Sequence, residues 1–236
     1  KELISISILG LAFMLIGFLD DWKSIIVKKN KGLKAKEKII LQIVASLIFL
    51  VYVYTQNLVP ENISLLGDYE INLGILFWPI ALIILLAESN ATNLTDGLDG
   101  LASGCGAIVL TGLSLELVIR GSNTDYAMAS LCMALAGSWL GFLIFNSEPA
   151  KIFMGDTGSL AMGAILAGTA LLTNTLWSLL IMGGIFLAES LSVIIQVGVY
   201  KITKYFNQID KGYRVFLMAP IHHHLELKGQ KEIEIV

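Results

Sequence analysis

The chain has 236 residues, of which 56% are hydrophobic and only 15% charged, with a net charge of −3. Average soluble domains carry about 25% charged residues. Together with a mean hydropathy of +0.75, this sets aside a soluble globular domain, a disordered chain, a collagen-like chain and a disulfide scaffold. The small net charge gives no footing for a nucleic-acid partner. What remains is an all-α integral membrane protein, a polytopic helical bundle in a lipid bilayer. Its apolar runs are continuous, whereas outer-membrane barrels alternate apolar and polar residues.

A spanning helix needs about 20 mostly apolar residues. Seven runs come near that length, at 3–19, 39–59, 73–89, 101–120, 126–145, 159–173 and 175–200. They predict about seven spans in a single membrane domain over 1–236. The last run holds Gly183, Gly184 and Glu189 and is expected to break or bend. Cys105 and Cys132 sit inside apolar runs and read as small core residues. The chain opens on Lys1-Glu2 with no initiator Met and no charged n-region. No cleavable signal peptide is expected, and the chain reads as a piece of a longer protein.

The cationic residues are unevenly placed. Connection 20–38 holds Lys23, Lys28, Lys29, Lys31, Lys34, Lys36 and Lys38, and the tail holds Lys201, Lys204, Lys211, Arg214, Lys228 and Lys231. The positive-inside rule then puts 20–38, 90–100, 146–158 and 201–236 in the cytoplasm and the start of the chain outside. A cationic face of this kind also attracts anionic headgroups and polyanionic substrates.

Four polar motifs fall on that same side. They are Asp20-Asp21-Trp22-Lys23, Asn90 through Gly100, Phe153 through Ser159, and Ala219-Pro220-Ile221-His222-His223-His224. Carboxylates at a membrane boundary are costly unless hydrated, paired or metal-bound. Asp20, Asp21, Asp96, Asp99 and Asp156 on one face repel one another, and a divalent cation makes them compatible. Mg²⁺ takes hard oxygen ligands from one or two carboxylates plus substrate phosphates, so a Mg²⁺–diphosphate site is the natural chemical reading. Plainer readings stay open: Asp20 and Asp21 ending a helix in interfacial water, and Asp96, Asp99 or Asp156 capping the next one. The glycines serve tight turns, or let backbone N–H groups approach a phosphate or a uracil. Three adjacent histidines cannot all face one ion from a regular helix, which argues against zinc. Asp20 and Asp21 diverge by about 100° if helical, so each can face a different partner.

These motifs resemble a known family. Asp20-Asp21-Trp22-Lys23, Asn93-Leu94-Thr95-Asp96-Gly97-Leu98-Asp99-Gly100, Phe153-Met154-Gly155-Asp156-Thr157-Gly158-Ser159 and Met218-Ala219-Pro220-Ile221-His222-His223-His224 with Glu226-Leu227-Lys228-Gly229 are similar to the bacterial phospho-N-acetylmuramoyl-pentapeptide transferases. That family lies within the polyprenyl-phosphate N-acetylhexosamine-1-phosphate transferases. The resemblance covers essentially the whole chain. It implies a Mg²⁺-dependent phosphoglycosyl transferase. UDP-N-acetylmuramoyl-pentapeptide would give its phospho-sugar to undecaprenyl phosphate, making lipid I and UMP in the first membrane step of peptidoglycan synthesis. The site would face the cytoplasm from the bacterial inner membrane, and a homodimer is implied.

By the same resemblance Asp156 is the principal Mg²⁺ ligand, with Asp21 near the metal, and Asp20 meets the lipid phosphate. Asn93, Asp96, Gly97, Leu98 and Asp99 belong to the nucleoside pocket, Phe153 stacks on uracil, and Gln196 lies nearby. His222, His223 and His224 contact substrate phosphate or the pocket, and Glu189 is a structural partner. The family fold has two further helices before residue 1, with a Gly-Thr-Pro-Thr-Met-Gly-Gly segment and a pocket lysine, and one helix after residue 236. The segment Tyr205 through Gly212 reads as an insertion. The alternatives are a sister transferase using UDP-N-acetylglucosamine, a transporter with intramembrane acids, and an inactive fragment.

Overall fold

The computed structural model of the protein describes residues 1–27, 32–59, 61–64, 69–207 and 211–236. Lys28, Lys29 and Lys31 of the cationic connection, and positions 208–210 of the expected insertion, lie outside the described residues.

The apolar runs all become helices. These are α1 (Glu2–Val27), α2 (Ala35–Thr55), α3 (Phe77–Thr95), α4 (Leu101–Arg120), α5 (Asn123–Asn146), α6 (Gly155–Thr173), α7 (Leu176–Met182) and α8 (Gly184–Asn207), followed by the short α9 (Ile221–Leu227) and α10 (Glu232–Ile235). Among the described residues, six of these helices are long and apolar enough to cross a membrane: α1 to α5 and α8. The last apolar run breaks at Gly183, as its glycines suggest, into α7 and α8. The chain is thus a helical membrane bundle.

Two helices overrun their apolar runs, and both overruns carry polar residues of the sequence motifs. α1 continues past residue 19, so Asp20 and Asp21 are helical. α3 continues past residue 89, so Asn90 and Asn93 stand on its last turns. Hydrogen bonding along the helix does not stop where hydropathy does, and these polar residues face protein rather than lipid. A short antiparallel hairpin, β1 (Asn62–Ser64) with β2 (Glu70–Asn72), leaves no mark in the apolar periodicity.

The sixth run forms the central helix. α6 packs mainly against α1 and α3 and is buried along nearly its whole length. Surrounded by protein, it can use small residues in place of large apolar ones, and glycines let its neighbours approach closely. A Cβ on Gly163 would meet Thr92 Oγ1 and the Glu88 carbonyl, and one on Gly168 would come within 2.7 Å of Leu9. Polar side chains stitch α3 to α6: Thr92 Oγ1 donates to the Ser159 carbonyl at 2.8 Å and Ser89 Oγ to that of Leu160 at 3.3 Å. At the far end Asn174, in the left-handed region at φ 54°, accepts from Ser64 N–H at 3.0 Å and so ties the hairpin to α6.

Candidate functional site

The site forms where the ends of α1 and α3 meet the start of α6. One oxygen from each of Asp20, Asp21 and Asp156 lies within 4.8 Å of the others, a spacing that suits a shared cation. The consecutive pair on α1 diverges as its helical geometry demands. Asp20 turns to the following connection and accepts the Leu33 N–H at 2.7 Å. Asp21 turns to α6 and accepts the Thr157 N–H at 2.9 Å, the Thr157 hydroxyl at 2.6 Å and the Asp156 N–H at 3.3 Å.

Asp156 itself also reaches α2 and α3. One of its oxygens pairs with Lys38 Nζ of α2, and the other accepts from Asn93 Nδ2 at 2.6 Å. Asn93 Nδ2 also donates to Ser159 Oγ at 2.9 Å. One turn deeper, Gln42 follows Lys38 on the same face of α2 and is fully buried against Asn90, whose Nδ2 donates to it at 2.8 Å. In the sequence Lys38 reads only as a topology charge. Its signal is the i, i+4 pairing with a polar residue inside an apolar helix, which marks a protein-facing side.

Asp96 closes α3, and its N–H donates to the Thr92 carbonyl at 3.1 Å. Burial, with the Asp156 and Asp21 carboxylates nearby, pushes its carboxyl up to about 7. The next residue, Gly97, lies against the His222 imidazole so closely that a Cβ there would overlap Nε2. This contact joins the fourth motif to the other three. His222 is itself buried, with Nδ1 3.0 Å from Glu189 Oε2 on α8, both side chains 1% exposed. His223 is half-buried and its Nδ1 lies 2.5 Å from Glu226.

Other expected residues have their polar atoms engaged elsewhere. Asp99 accepts the Ala150 N–H at 2.8 Å, fastening the α3–α4 turn to the 147–154 connection. Asn146 supports the same junction, accepting from Gly100 N–H and Ser103 and donating to the Ile152 carbonyl. Leu98 is buried there. Gln196 makes three bonds, at 2.9–3.0 Å, to the backbone of Val215 and Phe216. His224 Nδ1 accepts the Leu217 N–H at 3.1 Å. Both therefore hold the stretch before α9 in place. Phe153 is 75% exposed, with its ring open to a ligand.

The donor set is hard: among the described residues it is three carboxylates, with no thiolate or imidazole in the cluster. Such a set fits a small divalent cation and not zinc.

The sequence places this site among known proteins. Residues 3–174 match the family model described as glycosyl transferase family 4. The chain belongs to this family. Its similarity to curated members covers its whole length. It is 70% identical over 236 residues to the phospho-N-acetylmuramoyl-pentapeptide-transferase of Prochlorococcus marinus (strain SARG), of which the match spans 63%. It is 57% identical to the protein of that name from Synechococcus sp. (strain CC9605), spanning 67%, and 55% identical to that of Prochlorococcus marinus (strain MIT 9313), spanning 63%. The chain thus covers a little under two thirds of the first of these family members. The family match takes in the three motifs that bring Asp20, Asn93 and Asp156 together.

Proposed function

We propose that this chain carries the transfer site of a phospho-N-acetylmuramoyl-pentapeptide transferase. It would act as a single domain, with UDP-N-acetylmuramoyl-pentapeptide as donor and undecaprenyl phosphate as acceptor, giving lipid I and UMP. The observation that carries this reading is the convergence of three carboxylates and Lys38 at one end of a membrane bundle, in a chain whose relatives bear that name. The positive-inside rule supports a cytoplasmic site at the inner membrane. A homodimer rests on family resemblance alone.

Asp156 would hold Mg²⁺, with Asp20 and Asp21 within reach of the same ion. When bound, Mg²⁺ neutralises diphosphate charge and makes the phosphorus a better electrophile. Phosphoryl transfer otherwise depends on positioning and charge. Asp20, about two turns before the end of α1, would orient the lipid phosphate. That group is already largely dianionic at pH 7, its second pKa being about 6, so a strong base is not required. One of its oxygens bonds to the sugar-bearing phosphorus, the bridging P–O bond breaks, and UMP leaves with the electron pair. Lys38 balances the negative charge gathered at Asp156. Asn93 and the 96–99 turn would line the nucleoside pocket, with the exposed Phe153 ring stacking on uracil. His222 and His223 would border the same pocket.

The test is UMP release in detergent with undecaprenyl phosphate and Mg²⁺, from the muramoyl donor and from UDP-N-acetylglucosamine. It would be run on the chain alone and on the chain joined to the terminal segments of the Prochlorococcus relative. Release from the muramoyl donor only, lost on chelation and in Asp156→Asn, is expected. Release from the glucosamine donor alone would move the chain to the sister transferases. No release in either form would overturn the reading.

A further inference from the structure

α6 begins at Gly155, and the residue before it, Met154, offers no side-chain acceptor. The first N–H groups of a helix have no partner within it. Asp21, from another helix, supplies one, taking the Thr157 N–H and hydroxyl on Oδ2 and the Asp156 N–H on Oδ1. It acts as an N-cap delivered across the α1–α6 interface, with its negative charge at the positive end of the helix dipole. The other end of α6 is tied in the complementary sense: Arg120 Nη1 donates to the Thr173 carbonyl at 2.6 Å.

Two glycines make the cap possible. Gly17, one turn before Asp21, leaves room for the Asp156 carbonyl, which a Cβ would overlap. Gly155 has φ 63°, and a Cβ on it would stand 2.8 Å from Asp21 Oδ2. The two donors on Oδ2 fill both of its lone-pair directions. A cation could take Oδ2 only by uncapping the helix, while Oδ1 carries one bond, at 3.3 Å.

We propose that Asp21 is a positioning residue. It caps α6 through Oδ2, so fixing Asp156 where it meets Lys38 and Asn93. This rests on the reading that Asp156 holds a divalent cation. The two roles predict opposite signs in metal-free protein. A mere ligand is one of three mutually repelling carboxylates, so replacing it with Asn raises the melting temperature; replacing a cap lowers it.

The experiment compares wild type, Asp21→Asn, Thr157→Val and the double variant in detergent. Melting is followed with chelator present, and Mn²⁺ affinity is measured by the EPR signal of the free ion. Asp21→Asn and Thr157→Val are each expected to lower the melting temperature by about 2–4 °C, with the double variant falling by less than the sum. Both should weaken Mn²⁺ binding by a similar factor of up to about tenfold, while Asp156→Asn abolishes it. A rise in melting temperature for Asp21→Asn, or wild-type Mn²⁺ affinity in Thr157→Val, would overturn the proposal. Wild type that binds no Mn²⁺ would instead overturn the metal reading on which it rests. Should Asp21→Asn fail to fold, Thr157→Val alone decides.

Discussion

Lys38 and Asp156 stand 118 positions apart in the chain and form an ion pair whose side chains are 17% and 21% exposed. Among the described residues, Lys38 is the cation in direct contact with the carboxylate cluster. Lys38→Met should therefore leave Asp156 facing Asp20 and Asp21 uncompensated. Loss of one preorganised charge contact at such a site costs about 10²–10³ in turnover. In the proposed transfer reaction UMP release at saturating substrate should fall by that order, and Lys38→Arg should keep more activity than Lys38→Met. Equal losses in the two variants would show that charge at this position is not what matters.

Glu189 and His222 make a second long-range pair, sealed from solvent. Leaving a buried polar group without its neighbour costs about 1–3 kcal/mol. Glu189→Ala should lower stability to denaturant by that amount in detergent. Glu189→Gln, which keeps an acceptor without the charge, should cost less. An unchanged midpoint for Glu189→Ala would remove the pair from any account of how α8 holds α9.

Gly97 lies at an exposed turn, where substitution is ordinarily tolerated. Its neighbour is the His222 imidazole, and a Cβ would collide with it. Overpacking of this kind costs about 1–3 kcal/mol. Gly97→Ala should be destabilising although the residue faces solvent, and trimming the ring with His222→Ala should relieve part of the clash. A double-mutant cycle measures the relief; additive effects would mean that the contact does not form.

Asp96 makes the stability of the protein depend on pH. Burial, with Asp156 and Asp21 nearby, raises its carboxyl from 3.8 to about 7 in the folded state. The folded form therefore binds a proton more tightly than the unfolded form. This contribution is fully present below pH 3.8 and is lost as pH rises through 7. With chelator present, the melting temperature of wild type should fall between pH 5 and 8 more steeply than that of Asp96→Asn. Parallel curves would place the carboxyl at its ordinary value.

Much of the molecule was legible in its residues. Apolar runs of near-spanning length dictated a helical membrane bundle, because unpaired backbone groups cannot be left in hydrocarbon. The glycines at 183 and 184 marked the break between α7 and α8. The spacing of acids and glycines singled out the segments that meet at the site, and the consecutive pair Asp20-Asp21 already implied two diverging roles. The extent of α1 and α3 was less legible, because hydropathy reports contact with lipid and Asp20, Asp21, Asn90 and Asn93 contact protein.

Partnership was decided only by the tertiary structure. Lys38 carries the same charge as Lys34 and Lys36, and only the packing of α2 against α1 and α3 turns it toward Asp156. Asp21 differs from Asp20 by one position, and only the approach of α6 through Gly17 makes it a helix cap. Glu189 and His222 are far apart in the chain, and only the packing of α9 on α8 brings the imidazole Nδ1 to 3.0 Å from Glu189 Oε2. Composition and periodicity set which surfaces are buried. Which charge neutralises which depends on distances of a few ångströms between helices far apart in the chain, and those exist only once the bundle has closed.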